Sequence, residues 1–280
     1  MSANASSPAL DDVERTEIVR VGGATLRVRV RDGGGIPLVL CNGIGASLDV
    51  LQPLVDHLRP DRPVVRFDVP GTGESPTPVL PYGFPFLAWV LGRILDQLGH
   101  SRADVLGFSW GGALAQQFAF QNPRRCRRLV LAATATGTIM VPASPLILTK
   151  IATPRRYRDA DYLASVAAEI YGGPIDLGTA AVAALGHHLR PVSWRGYLYQ
   201  LLAGSVWTSL FALPAIRQPT LLIAGTDDPI IPTVNAHLMR ALLPHPQLYL
   251  HEGGHIDLIT RADRIGPVID CFLDRDETPP

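Results

Sequence analysis

The sequence predicts an α/β protein with a mostly parallel sheet flanked by helices. Three observations carry that prediction. Short apolar runs bounded by turn residues recur along the chain, as expected of strands buried on both faces. Helical patterns separate them, which is the alternation that builds a parallel sheet. One long interval without strand character, residues 134–214, stands between two of the runs.

Residues 1–12 are small and polar and read as a disordered tail. ERTEIVRV and ATLRVRVR then alternate apolar with polar around Gly22-Gly23, the pattern of a half-exposed hairpin. IPLVLCNG, PVVRFDVPG, ADVLGFS, RRLVLAAT, PTLLIAGT and PQLYLHEGG are the candidate parallel strands. FPFLAWVLGRILDQLG and GALAQQFAFQNP are helical patterns between them. The reading is therefore a core of residues 13–133 and 215–276 interrupted by a helical insertion. Inside the insertion, DYLASVAAEIYGG and RGYLYQLLAGSVWTSLFAL look helical, and it gathers Tyr157, Tyr162, Tyr171, Trp194, Tyr197, Tyr199, Trp207 and Phe211. A helical block of that size is expected to form a lid over the strand ends. Its aromatics would either meet substrate or pack the lid onto the core.

Composition narrows the function classes. At 280 residues and 47% hydrophobic, the chain can bury a large core. Lys plus Arg equals Asp plus Glu at 25 each, so there is no basic excess of the kind nucleic-acid binders show. The one dense basic run, Arg124, Arg125, Arg127 and Arg128, reads as favourable charge near a helix C-terminus. The three cysteines, Cys41, Cys126 and Cys271, have no ligand spacing and read as buried free thiols of a reducing compartment. No metal and no cofactor are expected. The N-terminus lacks a basic start and an apolar segment, and no run is long enough for a membrane span. The expectation is a cytoplasmic protein.

The chemistry is concentrated at VLGFSWGG. Gly107 and Gly111 bracket Ser109 in a G-x-S-x-G pattern, with a strand expected to end near Leu106 and a helix to start near Gly111. A serine on so tight a strand-to-helix turn is strained, and glycine on each side removes the collisions. The turn lifts the hydroxyl above the sheet, at a helix N-terminus where the Trp110 N–H can meet developing negative charge. A serine nucleophile needs a base, and the base needs an orienting acid. PTLLIAGTDDPIIP ends a strand with Asp227 and Asp228, and the G-x-x-D-x-x-x-P spacing of Gly225, Asp228 and Pro232 favours Asp228. Asp227 would then cap the turn or face solvent. PQLYLHEGGHIDL offers His251 within the strand and His255 in the loop beyond, where an imidazole can reach back. His255 is taken as the base. The second oxyanion donor is expected from LCNGIGAS, as the backbone N–H of Ile44, with Asn42 and Gly43 against the substrate; an Asn-Gly turn alone is the plainer reading. DVPGTGES has Pro76 where a dinucleotide fingerprint needs its third glycine, so the loop Asp68–Ser75 is expected to line the site instead.

The order Ser109, Asp228, His255, with the insertion before the acid, resembles the α/β-hydrolase superfamily. More narrowly the chain resembles intracellular depolymerases of medium-chain-length polyhydroxyalkanoates. CNGIGASLDVLQPLV, FDVPGTGESPTP, FSWGGALAQQFA, TPRRYRDADY, IYGG, WTSL and GGHIDLITRA carry that resemblance. It implies a serine hydrolase that cuts esters of a storage polyester and associates with granules inside the cell. Phe108, often aliphatic in that family, and Ile256-Asp257 after the histidine are departures that would reshape the acyl pocket. A carboxylesterase or carbon–carbon bond hydrolase of small apolar substrates is the alternative. A non-catalytic granule- or ligand-binding protein on the same fold is the second, and the triad leaves peroxide open as an acyl acceptor.

Overall fold

A computed structural model describes residues 14–173 and 193–275. The expected N-terminal tail and the middle of the 134–214 interval lie outside those residues.

Eight strands form one sheet in the order β1-β2-β4-β3-β5-β6-β7-β8. β1 (Glu14–Val21) and β2 (Ala24–Arg31) make the expected hairpin, and β2 runs antiparallel to β4 (Val64–Phe67). From β4 the sheet is parallel through β3 (Leu38–Cys41), β5 (Ala103–Phe108), β6 (Cys126–Ala132), β7 (Thr220–Gly225) and β8 (Pro246–His251). The continuous apolar runs are explained by two-sided burial. Val39, Cys41, Val65 and Val105 face one cluster, built with α2 (Phe84–Gln97) and α3 (Trp110–Gln121). Their neighbours Leu38, Leu40, Val64 and Leu106 face the other, built with α1 (Gln52–His57) and the C-terminal helix Ala262–Leu273. Successive residues of a strand point to opposite faces, so a strand covered on both sides has no polar register.

The interval between β6 and β7 contains α4 (Pro145–Ile151), a 3-10 turn Pro154–Tyr157, α5 (Ala160–Tyr171) and α6 (Trp194–Ser205) among the described residues. Asp159 and Ser193 cap α5 and α6 by accepting hydrogen bonds from the N–H groups of Tyr162 and Gly196. A single bridge, Gly137 to Thr208, ties the ends of the interval together. After β7 come α7 (Val234–Leu242), the short α8 (Asp257–Thr260) and α9, the helix Ala262–Leu273.

Three expectations change here. The loop Asp68–Ser75 does not reach the cavity that holds Ser109. Asp68 is instead buried, pairs with Arg27 Nε at 2.7 Å, and accepts the N–H groups of Leu48 and Glu74. The basic run does not serve its own helix. Arg125 reaches the carbonyls of Gly92 and His100 on and beyond α2, and Arg127 pairs with buried Asp104. Cys41 and Cys126 are buried, but Cys271 is exposed.

Arg27 is fully buried and also bonds Asp49 at 2.8 Å and Glu74 at 2.9 Å. Removing one member of a buried ion group strands the others without water or a partner. Arg27→Ala is expected to lower unfolding free energy by about 3–5 kcal/mol. Urea denaturation would check it, and a loss under 1 kcal/mol would show that Asp68 and Asp49 are satisfied some other way.

Candidate active site

β5 runs on to Phe108, two residues further than expected, and α3 starts at Trp110. The whole strand-to-helix turn is therefore one residue, Ser109, with φ 53° and ψ −120°. A non-glycine side chain in that region stores about 1–3 kcal/mol of strain. Close approach explains the flanking glycines. A Cβ on Gly107 would lie 2.5 Å from the Gly111 carbonyl oxygen, and one on Gly111 would lie 2.2 Å from the Cys41 carbonyl oxygen. The helix starts hard against the end of β3, and only glycine fits.

Ser109 Oγ lies 2.9 Å from His255 Nε2, and His255 Nδ1 lies 2.8 Å from Asp228 Oδ2. The other carboxylate oxygen, Asp228 Oδ1, accepts the N–H groups of Ile230 and Ile231, both at 2.9 Å. Asp228 and His255 are buried, whereas Asp227 is exposed. The histidine is held from a third side. Its own backbone N–H donates to the carbonyl of Tyr171 at 2.7 Å, the last residue of α5. His251 stays at the end of β8, its Nδ1 3.5 Å from Asp257 Oδ2.

Ser109 and His255 open onto a cavity of about 200 Å³. Gly43, Ile44, Phe108 and Trp110 line it, as does Ile256; Asp257 turns away toward His251 and Arg261. Phe108 stands against the His255 ring at 5.4 Å between centroids. Asn42, expected against substrate, is not on the cavity wall. Its Nδ2 donates to the Ser47 carbonyl and braces the loop from within. Trp110 is the first residue of α3, so its N–H has no acceptor inside the helix. The Ile44 N–H makes no hydrogen bond among the described residues.

The residues that hold the Ile44 loop were not legible in the sequence. Tyr157 Oη donates to the Ile44 carbonyl at 2.7 Å, and the Gly45 N–H donates to Gln200 Oε1 at 2.9 Å. The peptide between residues 44 and 45 is thus clamped at both ends by the β6–β7 interval. Gly45 has φ 73°, and a Cβ there would press to 2.7 Å from the Tyr157 ring. Its glycine is needed for both reasons. The Trp110 indole donates to the Gln200 carbonyl at 2.9 Å, docking α6 on the serine turn. No group of His, Cys, Asp and Glu among the described residues is arranged to hold a metal.

This fold and this arrangement place the chain in a known class. The sequence pattern of the α/β hydrolase fold matches residues 36–262, and the chain belongs to that family. It is 44% identical over 260 residues to a poly(3-hydroxyalkanoate) depolymerase of Ectopseudomonas oleovorans, covering 92% of each chain. Among solved structures it resembles the enol-lactonase from Burkholderia xenovorans LB400 with a TM-score of 0.80 at 23% identity, covering 92% of this chain and all of the other. It also resembles a meta-cleavage product hydrolase from Pseudomonas fluorescens IP01, with a TM-score of 0.78 at 20% identity over 92% and 97% of the two chains. These two likenesses are of fold.

Proposed function

We propose that this protein hydrolyses the ester bonds of medium-chain-length poly(3-hydroxyalkanoate), releasing 3-hydroxy acids or short oligomers. The observation that carries the reading is the Ser109–His255–Asp228 relay opening onto an apolar cavity. The kinship with the depolymerase supports the choice of ester.

Ser109 Oγ attacks the ester carbonyl while His255 Nε2 takes its proton. Asp228 fixes the imidazole and stabilises its charged form. The N–H groups of Ile44 and Trp110 bind the oxyanion. The alcohol leaves with the proton held by His255, and water repeats the sequence on the acyl-enzyme to free the acid. Each substrate methylene buried against Phe108, Ile256 and their neighbours contributes about 0.8 kcal/mol, which favours medium-length side chains. The described parts of residues 134–214, which put Ile151, Arg156, Tyr157 and Gly204 on the cavity wall, act as the lid. Release of 3-hydroxy acids from medium-chain polyester latex, with Ser109→Ala as the blank, tests the reading. Cleavage of soluble p-nitrophenyl esters without release from latex would keep the chemistry and reject the polymer.

Tyr157 is a positioning residue in this scheme. Tyr157→Phe deletes the donor to the Ile44 carbonyl and is expected to lower kcat on a soluble ester about tenfold, with KM little changed. A fall in Tm with kcat intact would make the hydroxyl merely structural.

The site of action is read as the granule surface inside the cell. No helix among the described residues is long and apolar enough to cross a membrane. The outer face of α6 presents Trp194, Leu198 and Leu202 at four-residue spacing, exposed by 55%, 50% and 45%. Val79 and Leu80 extend that face from the loop to which Tyr199 is hydrogen-bonded. Replacing Trp194, Leu198 and Leu202 together with serine is expected to weaken latex binding about a hundredfold while soluble-ester turnover stays intact. Unchanged sedimentation with the latex would place granule contact elsewhere.

A further inference from the structure

A cation stands in the cavity wall with no anion beside it among the described residues. Arg156, in the turn Pro154–Tyr157, is 3% exposed and lines the same cavity as Ser109 and His255. A guanidinium presents five N–H donors and keeps its charge throughout the range in which proteins work. Arg156 directs Nη1 to the Ile151 carbonyl at 3.2 Å and Nη2 to Tyr157 Oη at 3.4 Å. Its Nε is buried with no hydrogen-bond partner among the described residues. The guanidinium carbon also lies 4.6 Å from the Tyr157 ring centre and 5.7 Å from that of Tyr197.

Tyr197 and Tyr171 do not supply a negative charge. Burial pushes the Tyr197 hydroxyl up to about 12 and raises that of Tyr171 as well, so both are neutral at ordinary pH. Other buried arginines of this chain are differently served. Arg27 has Asp68 and Asp49, Arg62 has Asp270, and Arg66 has Glu14. Arg31 is met by three backbone carbonyls. Among the described residues Arg156 has one backbone carbonyl and tyrosine hydroxyls, and no carboxylate. Desolvating a cation is costly, and the electrostatics call for an anion. A carboxylate matches the fork geometry of a guanidinium.

We propose that Arg156 receives the carboxylate of a 3-hydroxy acid, so that the cavity prefers polyester chain ends over interior bonds and retains the acid product. The proposal rests on the polyester-hydrolase reading and deepens it. Interior ester units are neutral; only a chain terminus carries a carboxylate. Hydrolysis of the last ester breaks the bond between the acyl carbon and the oxygen of the terminal unit. That unit departs as a 3-hydroxy acid, its new hydroxyl taking the proton from His255. A cation held for its carboxylate makes the enzyme exo-acting.

The test compares the linear dimer of 3-hydroxyoctanoic acid with the methyl ester of that dimer. In the wild type the free acid is expected to show a KM lower by about tenfold, the scale of one hydrogen-bonded charge. Arg156→Gln should raise KM for the acid alone, and Arg156→Lys should restore part of the difference. Equal KM for both dimers in the wild type, or equal losses on both in Arg156→Gln, overturns the proposal. A second arm needs no variant. 3-Hydroxyoctanoate and its methyl ester are compared as competitive inhibitors of p-nitrophenyl octanoate hydrolysis. Tighter inhibition by the acid supports the site, and equal inhibition overturns it. If neither dimer is cleaved while p-nitrophenyl octanoate is, the polyester reading fails, and the inhibition arm still decides Arg156.

Discussion

Ser109→Ala is expected to lower ester turnover by at least about a thousandfold while leaving the protein folded. The Ser109 hydroxyl makes its hydrogen bond to His255, so alanine removes the nucleophile and leaves the base in place. Residual hydrolysis would come from the donors at Ile44 and Trp110 acting on substrate and water. Ser109→Gly should be equally inactive, yet more stable than Ser109→Ala by about 1 kcal/mol, because glycine relieves the strain at φ 53°. Turnover of p-nitrophenyl octanoate and chemical denaturation check the two parts. Retention of most activity by either variant would remove Ser109 from the mechanism.

Asp228→Asn is expected to lower kcat by about 10⁴ with little change in stability. Two backbone N–H groups, from Ile230 and Ile231, hold Oδ1. Asparagine keeps an oxygen there, so its amide nitrogen must face His255 Nδ1. An N–H aimed at Nδ1 forces the imidazole proton onto Nε2, the atom that must accept from Ser109. The base is then present in the wrong tautomer. A loss of tenfold or less would mean that His255 is oriented chiefly by its neighbours, among them the Tyr171 carbonyl that accepts its backbone N–H.

What could be read from sequence follows from how local each signal is. The sheet was legible because two-sided burial writes itself as uninterrupted apolar runs such as LVLC and TLLIAG. The serine turn was legible because steric demand within a few residues selects glycine at 107 and 111. That Asp228 and His255 would meet Ser109 could be read because they follow strand ends, where a parallel sheet collects its loops. Asn42 was misplaced because its position on the loop was visible but its hydrogen bond to Ser47 was not. The Asp68–Ser75 loop was misplaced for a like reason, since its buried carboxylate answers to Arg27 across the sheet. Gln200 carried no local signal, and Tyr157 and Arg156 stood out only as one of the insertion's aromatics and as part of TPRRYRDADY. Nothing in the spacing of TPRRYRDADY reveals that one of its arginines is enclosed by tyrosines.

The carbonyl of Tyr171 and the peptide of Gly172 lie directly on the loops that carry Asp228 and His255. A Cβ on Gly172 would stand 2.0 Å from the Asp227 carbonyl oxygen, and one on Gly254 would stand 2.0 Å from that of Tyr171. The helical interval and the loops of Asp228 and His255 therefore share a weld and are not separable modules. Transplanting the helical interval from a relative would break that weld unless residues 171–173 of the recipient were kept.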